Sequence, residues 1–265
     1  MVVAISGASA GIGAAVAQVL RNQGPRLAVC ARRLERLEEL AFGIPPAQWL
    51  SVRADVSRTD DCEMFIARTL EHFGRIDTLI CNAGYGLYKR THEFTPQEMR
   101  DLFATNVFGT SDLIHAAVPA MAKQEPRQGW RGQLMIVSSA AARRAPPFLG
   151  PYSATKAAQL SIAEAMRVEL RPMQIAVTSV HPIMTRTEFG VAAEQRGPVK
   201  LPRGDRMTQS VEHVARRMVA AIRHPRAEVW PHRPTRLALG IATLVPGLVD
   251  RVLAKYRDDI EAENR

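Results

Sequence analysis

Ser139, Tyr152 and Lys156 are the residues whose types and spacing most readily do chemistry. Tyr152 and Lys156 lie four apart in Tyr-Ser-Ala-Thr-Lys, so a helix sets them one turn apart on a single face. A phenol has a reference pKa of about 10, and bringing it to neutrality takes about 4 kcal/mol of differential stabilisation. An adjacent ammonium acts in that direction and makes the phenol a general acid/base. Ser139 stands thirteen residues before Tyr152, at the end of an apolar run, where its hydroxyl can hold a substrate oxygen. The plainer reading of a Tyr-x-x-x-Lys pair alone is an amphipathic surface pair.

The second group is the run Ser6 to Gly13, with glycines at 7, 11 and 13, directly after the apolar stretch Val2 to Ile5. Glycines between a strand and a helix let the chain turn sharply and let a pyrophosphate approach the N–H groups of the helix N-terminus. The spacing is Gly-x-x-x-Gly-x-Gly, and its position points to a dinucleotide. The next strand ends Val29-Cys30-Ala31-Arg32-Arg33, with no carboxylate until Glu35. A carboxylate there would hold a free ribose, whereas guanidinium forks suit a 2′-phosphate, so Arg32 and Arg33 favour NADP(H) over NAD(H).

These residues need a frame, and the hydrophobic pattern supplies one. Short apolar runs at Val2 to Ile5, Arg26 to Cys30, Trp49 to Val52, Ile76 to Cys81, Gln133 to Ser138 and Ile175 to Val180 read as buried strands, with a further strand at Glu228 to Trp230. Helical patterns alternate with them: Gly11 to Gln23, Leu34 to Leu40, Met64 to Phe73, Pro96 to about Lys123, Tyr152 to Leu170 and Val211 to Ile222. The expected fold class is α/β, a doubly wound, Rossmann-like parallel sheet with helices on both faces, in one domain spanning residues 1–265. Residues 184–209, rich in Gly, Pro and Arg, fit neither element and read as a substrate lid loop.

In the order and spacing of these features the chain resembles the short-chain dehydrogenase/reductase family along nearly its whole length. The residues that carry the resemblance are the Gly7 to Gly13 turn, Asp55 in Ala-Asp-Val-Ser, Asn82-Ala83-Gly84, Asn106, Ser139, and the Tyr152 and Lys156 pair. The resemblance implies hydride transfer between a nicotinamide and a carbonyl, with Tyr152 moving the proton. It implies that Lys156 holds the ribose hydroxyls and lowers the Tyr152 pKa, that Ser139 orients the carbonyl, and that Asn106 supports a water relay. The implied cofactor contacts are Gly7, Ser9, Gly11, Ile12, Gly13, Arg32, Arg33, Asp55, Val56, Asn82, Ala83, Gly84, Tyr152, Lys156, Pro182 and Thr187. Homo-oligomerisation through helices near residues 100–120 and 152–170 is implied as well. The chain departs from the family in having Ser6 before the first glycine, Cys81 before Asn82, and Ile183 after Pro182 where a glycine is usual. Ile183 is expected to narrow the pocket or redirect the loop that carries Thr187.

An apolar pocket wall is expected from Ala140, Ala141, Pro147, Phe148 and Leu149, with Tyr85, Leu87 and Tyr88 opposite and Phe189 from the lid. Such a wall suits a hydrophobic ketone, aldehyde or alcohol. Arg143 and Arg144 keep a second reading open, a 3-oxoacyl thioester on an anionic carrier. A third reading, from another class, is a binding protein that senses NADP(H) without turnover.

The composition limits the remaining alternatives. Hydrophobic residues make up 46% and charged residues 23% of the 265 residues, which excludes disordered and low-complexity chains. The net charge of +9 comes from 30 arginines and 5 lysines scattered along the chain, with aromatics at only 6%. That scatter argues against a nucleic-acid stripe. Cys30, Cys62 and Cys81 form an odd set without paired spacing, and the histidines show no metal-ligating pattern. Neither disulfides nor a metal is expected, and a reduced, cytoplasmic setting is. The apolar segment Leu237 to Val249, within a C-terminal stretch 233–257, is interrupted by Pro246 and Gly247 and too short to span a bilayer. It reads first as packed on the core or at a subunit interface. Its flanking cations Arg233, Arg236, Arg251 and Lys255 support membrane-surface contact as the less favoured reading.

Overall fold

Continuous apolar strands produce one parallel sheet. The structure, a computed structural model, describes residues 1–201 and 208–264. Seven strands, β1 (Val2–Ser6), β2 (Arg26–Ala31), β3 (Trp49–Arg53), β4 (Thr78–Cys81), β5 (Gly132–Val137), β6 (Ile175–Val180) and β7 (Glu228–Val229), lie in the order β3-β2-β1-β4-β5-β6-β7. Every pairing is parallel. The strand order reverses between β1 and β4, and a crevice at the carboxyl ends of strands at such a reversal is where ligands bind in open α/β sheets.

Two apolar layers cover the sheet. One packs α3 (Thr59–Phe73), α5 (Gly109–Lys123) and α6 (Gly150–Glu169) onto one face, through Phe65, Ile66, Leu113, Ile114 and Ala163. The other packs α1 (Gly11–Arg21), α2 (Leu34–Ala41) and α8 (Val211–Arg223) onto the opposite face, through Val16, Leu20, Leu37, Val214 and Met218. The helix expected from Pro96 to Lys123 is continuous but contains a π turn at Ala104–Phe108, between α4 (Pro96–Phe103) and α5. A Thr95–Glu98 capping box starts it.

Two expectations change. The segment 184–209 contains a helix, α7 (Glu188–Arg196), capped by the Thr187 hydroxyl, which accepts from Phe189 N. The rest of that segment at 202–207, with Pro202 and Gly204, lies outside the described residues. The C-terminal stretch is also helical, α9 (Arg233–Leu244) followed by α10 (Pro246–Glu263), broken where Pro246 cannot supply an N–H. The segment Leu237 to Val249 is not packed on the core: α9 has no buried residue, and Leu237, Ile241, Leu244 and Leu248 face solvent, whereas the end of α10 is anchored by buried Ile260.

Candidate active site

The glycine turn between β1 and α1 is built by close backbone approach. Gly7 has φ +67°, and a Cβ there would lie 2.7 Å from Ala83 Cα. A Cβ on Gly13 would lie 2.5 Å from the Gly7 carbonyl and 2.6 Å from Asn82 Nδ2. Only hydrogen fits at either position. Asn82 Nδ2 donates to the carbonyls of Ser6 (3.0 Å) and Gly7 (3.1 Å), and Ser6 Oγ accepts from the amides of Asn82 and Ala83 (3.1 Å each). Ser6 thus performs the local task its position requires. No side chain caps α1, whose N-cap is Ala10, so its first-turn N–H groups at Gly11, Ile12 and Gly13 suit a pyrophosphate. Thr187 faces this turn, 3.5 Å from where a Gly11 Cβ would stand.

At the end of β2, Arg33 reaches back over the turn. Its Nη2 donates to Ser9 Oγ (3.3 Å), and its Nη1 pairs with Glu188 Oε2 (3.2 Å). Arg36 holds the other Glu188 oxygen at 2.6 Å. Arg32 lies 3.9 Å from Asp55, whose carboxylate accepts from the amide and hydroxyl of Ser57. The α3 N-cap is Arg58, so Asp55 does not serve that structural role. Val56 is buried against Gly109, where a Cβ would lie 2.3 Å from the Val56 carbonyl. The sequence did not reveal Glu188, which lies 155 residues from Arg33.

The catalytic candidates converge where β5, the π turn and α6 meet. Lys156, buried, lies 5.7 Å from the Tyr152 ring centroid, and the Ser139 hydroxyl, which accepts from Ala141 N (3.1 Å), is near enough to the Tyr152 phenol to favour its charged form. Burial pushes the phenol well above its ordinary value, while the Ser139 hydroxyl pulls it down. Burial also pushes the Lys156 amine down to about 7. Desolvation opposes the charged form of both groups.

Asn106 is held between the Tyr85 backbone and α6. It is buried in the π turn, its Oδ1 accepts from Tyr85 N (3.0 Å), and its Nδ2 donates to the Tyr85 carbonyl and Thr155 Oγ1 (3.0 Å each). Its main-chain carbonyl accepts from Gln159 Nε2 (2.7 Å) and Thr110 Oγ1 (3.0 Å). Gln159 Oε1 in turn accepts from Lys156 Nζ (2.9 Å), which also donates to the Val137 carbonyl (2.9 Å). The Gln159 side-chain amide thus links Lys156 to the Asn106 carbonyl. The signal was available: Gln159 is a polar residue three positions after Lys156 in an otherwise small and apolar run.

The substrate side is apolar. Leu87, Tyr88 and Phe148 are buried, and Phe189 from α7 lies against the Tyr152 ring with centroids 5.4 Å apart. Arg196, at the far end of α7, stands 5.0 Å over the Tyr85 ring. Phe148 adopts φ +65°, a strained conformation for a bulky residue that places this wall. Pro182 ties the loops after β5 and β6 together by accepting from Ala140 N (2.9 Å), and Ile183 beside it is half-buried. His181, also missed as a site element, is buried beneath Ser139. Its ring stacks on Trp230 at 4.3 Å, and its nitrogens meet Ser179 Oγ (3.0 Å) and the Ser139 carbonyl (3.4 Å). Burial pushes its pKa down to about 4. Arg143 pairs with Glu164 and Glu228, and Arg144 with Asp250, so both cations are engaged within the chain. A cavity of about 370 Å³ lies between the Pro146–Phe148 loop and α10, and Ser139, Tyr152 and Lys156 do not line it.

Comparison with known proteins identifies the family and the fold. The sequence profile of the family described as short chain dehydrogenase matches residues 1–196. The chain is similar to "11-beta-hydroxysteroid dehydrogenase-like 3" of Arabidopsis thaliana, 35% identical over 192 residues, covering 71% of this chain and 60% of that one. The chain thus spans less than two thirds of that relative's length. It is also similar to "Dehydrogenase/reductase SDR family member 7B" of Bos taurus, 29% identical over 265 residues, covering 96% of this chain and 80% of that one. Among solved structures, an alcohol dehydrogenase from Thermococcus sibiricus complexed with 5-hydroxy-NADP is 26% identical with a TM-score of 0.74, covering 86% of this chain and 94% of that one. A short-chain dehydrogenase/reductase from Burkholderia phymatum in complex with NAD shares the fold, with a TM-score of 0.81 at 22% identity over 93% of this chain and 94% of that one.

Proposed function

The chain belongs to the short-chain dehydrogenase family of oxidoreductases, and we propose that it uses NADP(H) to interconvert a carbonyl and an alcohol on a hydrophobic substrate. The observation that carries this reading is the convergence of Ser139, Tyr152 and Lys156 beside the segment Asn82 to Gly86, whose Asn82 and Ala83 pack on Gly7 of the glycine turn. The cofactor fits the residues present: glycines 7 and 13 leave space that a Cβ would fill, and Arg33 lies over Ser9 where a 2′-phosphate could be held. When bound, NADP(H) supplies or accepts the hydride. Ser139 orients the substrate oxygen, and Tyr152 gives it a proton or takes one from it. Lys156 has three N–H groups, of which two donate to Val137 and Gln159, leaving one for a ribose hydroxyl. Phe189 excludes water from the Tyr152 face.

The apolar wall supports a hydrophobic substrate over an acyl carrier, since Arg143 and Arg144 are engaged with carboxylates of the chain itself. Pairing through α5 and α6 is supported by Phe108 and Val168, two large apolar side chains exposed on that side. Light scattering of Phe108→Glu should then show a smaller particle than the parent, and an unchanged mass refutes that interface.

The test of function is oxidation of NADPH and of NADH against a panel of carbonyl compounds, for the parent and Tyr152→Phe. The parent should turn over with NADPH, and the variant should lose about two to four orders of magnitude while still binding NADPH. Equal activity in both refutes the role of Tyr152, and a preference for NADH refutes that of Arg32 and Arg33. Tight NADPH binding by the parent with no turnover favours the sensing protein.

A further inference from the structure

The C-terminal helices carry a feature the reaction does not use. Leu237, Ile241 and Leu244 stand on one face of α9 at steps of four and three, and Leu237 and Leu244 are 70% and 81% exposed. Leu248 and Val252 repeat the pattern on α10, with Val245 exposed at the corner between the helices. Cations share these faces. Arg233 is one turn before Leu237, and Arg251 and Lys255 fall three and seven residues after Leu248, so helical spacing puts them on the exposed stripe. Helices α9 and α10 together hold five cations and five carboxylates: Asp250 is engaged by Arg144 and Arg236 by Glu228, and the other four carboxylates, Asp258, Asp259, Glu261 and Glu263, gather in the last turns of α10, so the positive charge is confined to 233–257.

We propose that α9 and α10 form a docking surface for the anionic face of a lipid bilayer. An exposed apolar stripe edged by cations matches the interface between acyl chains and acidic headgroups, with the cations at headgroup level. The helices meet at 117°, and no single helix among the described residues is long and apolar enough to cross a bilayer. Arg251, Lys255 and Arg257 oppose deeper insertion of α10, so the pair lies on the surface. A second copy is a poorer occupant, because a twofold contact through this face brings its cations together. The inner side of α10 is fixed to the protein. Ile260 is buried with Tyr88 and Phe148, and Glu261 pairs with Arg90 at 2.7 Å. The docked surface therefore lies beside the apolar wall of the candidate active site.

The test is sedimentation of the full chain with vesicles of phosphatidylcholine alone and of phosphatidylcholine mixed with phosphatidylglycerol. Binding should require the anionic lipid and weaken with salt. Ile241→Glu with Leu244→Glu should abolish it, and Arg251→Ala with Lys255→Ala should weaken it about thirtyfold. All of these side chains are exposed, and thermal stabilisation by NADPH in each variant confirms that it folds. Absence of binding to the mixed vesicles overturns the proposal, as does equal binding to both vesicle types. Self-association abolished by Leu244→Glu, without vesicle binding, assigns the face to a second copy and overturns it too. Each readout is independent of carbonyl reduction, so failure here leaves the proposed reaction untouched.

Discussion

Replacing Gln159 with leucine isolates the link between Lys156 and the π turn. Leucine keeps most of the volume and removes every polar contact of a fully buried side chain. Three hydrogen bonds disappear: Lys156 Nζ to Oε1 at 2.9 Å, and Nε2 to the Asn106 carbonyl and to Thr110 Oγ1, both at 2.7 Å. Lys156 keeps the Val137 carbonyl, and the Asn106 carbonyl keeps the Thr110 hydroxyl. The bond to the amine of Lys156 is worth about 2 kcal/mol when that amine is charged, and the neutral pair together about 2 more. Apolar gain from leucine returns about 1, for a net loss of about 3 kcal/mol. In a chain of this size that is a fall of roughly 5 °C in Tm. The substitution also removes an acceptor that favours the ammonium, so the Lys156 pKa should fall below its value of about 7. Gln159→Glu places a carboxylate there and should raise it. The pH dependence of NADPH oxidation should then shift in opposite directions for the two variants, an effect that a merely structural glutamine would not produce. An unchanged Tm and an unshifted pH profile in Gln159→Leu would refute this account of how Lys156 is held.

Two further outcomes follow from other contacts. Glu188→Gln removes the carboxylate that engages Arg33 and Arg36, and this exposed pair should release enough to tighten NADPH binding about two- to fivefold while leaving NADH unchanged, as measured by calorimetric titration. Weaker NADPH binding in that variant would mean that Glu188 positions Arg33 instead of competing for it. His181, ordinarily near 6.5, titrates near 4 in the fold. Between those values the unfolded chain binds a proton that the folded chain does not, so this contribution is full above about pH 6.5 and lost as pH falls towards 4. The loss amounts to roughly 3 kcal/mol. His181→Phe, which can keep the stack on Trp230, should flatten that acid limb in urea titrations, and an unaltered limb assigns it to other groups.

What could be read from the sequence divides by the range of the interaction. Strand and helix positions were legible because parallel strands buried on both faces are continuous apolar runs, and β6 begins and ends where its run does. Tyr152 and Lys156 were legible because one helical turn fixes their relation, and Gly7 and Gly13 because a tight turn admits no Cβ. The partners that decide how those residues behave were not. Asn106 and Gln159 are 53 residues apart, and Arg33 and Glu188 are 155 apart, so neither pairing leaves a local pattern. The same holds for charge. Spacing puts an ammonium beside a phenol, but only the packed structure shows that burial penalises the charged form of both groups. Burial was also the missing term at the C-terminus. The composition of Leu237 to Val249 suits a core segment, an interface or a membrane surface equally, and exposure of the apolar side of α9 removes the first. Of the two that remain, the cations on the same faces favour lipid, because an acidic headgroup neutralises them and a second copy of the patch does not.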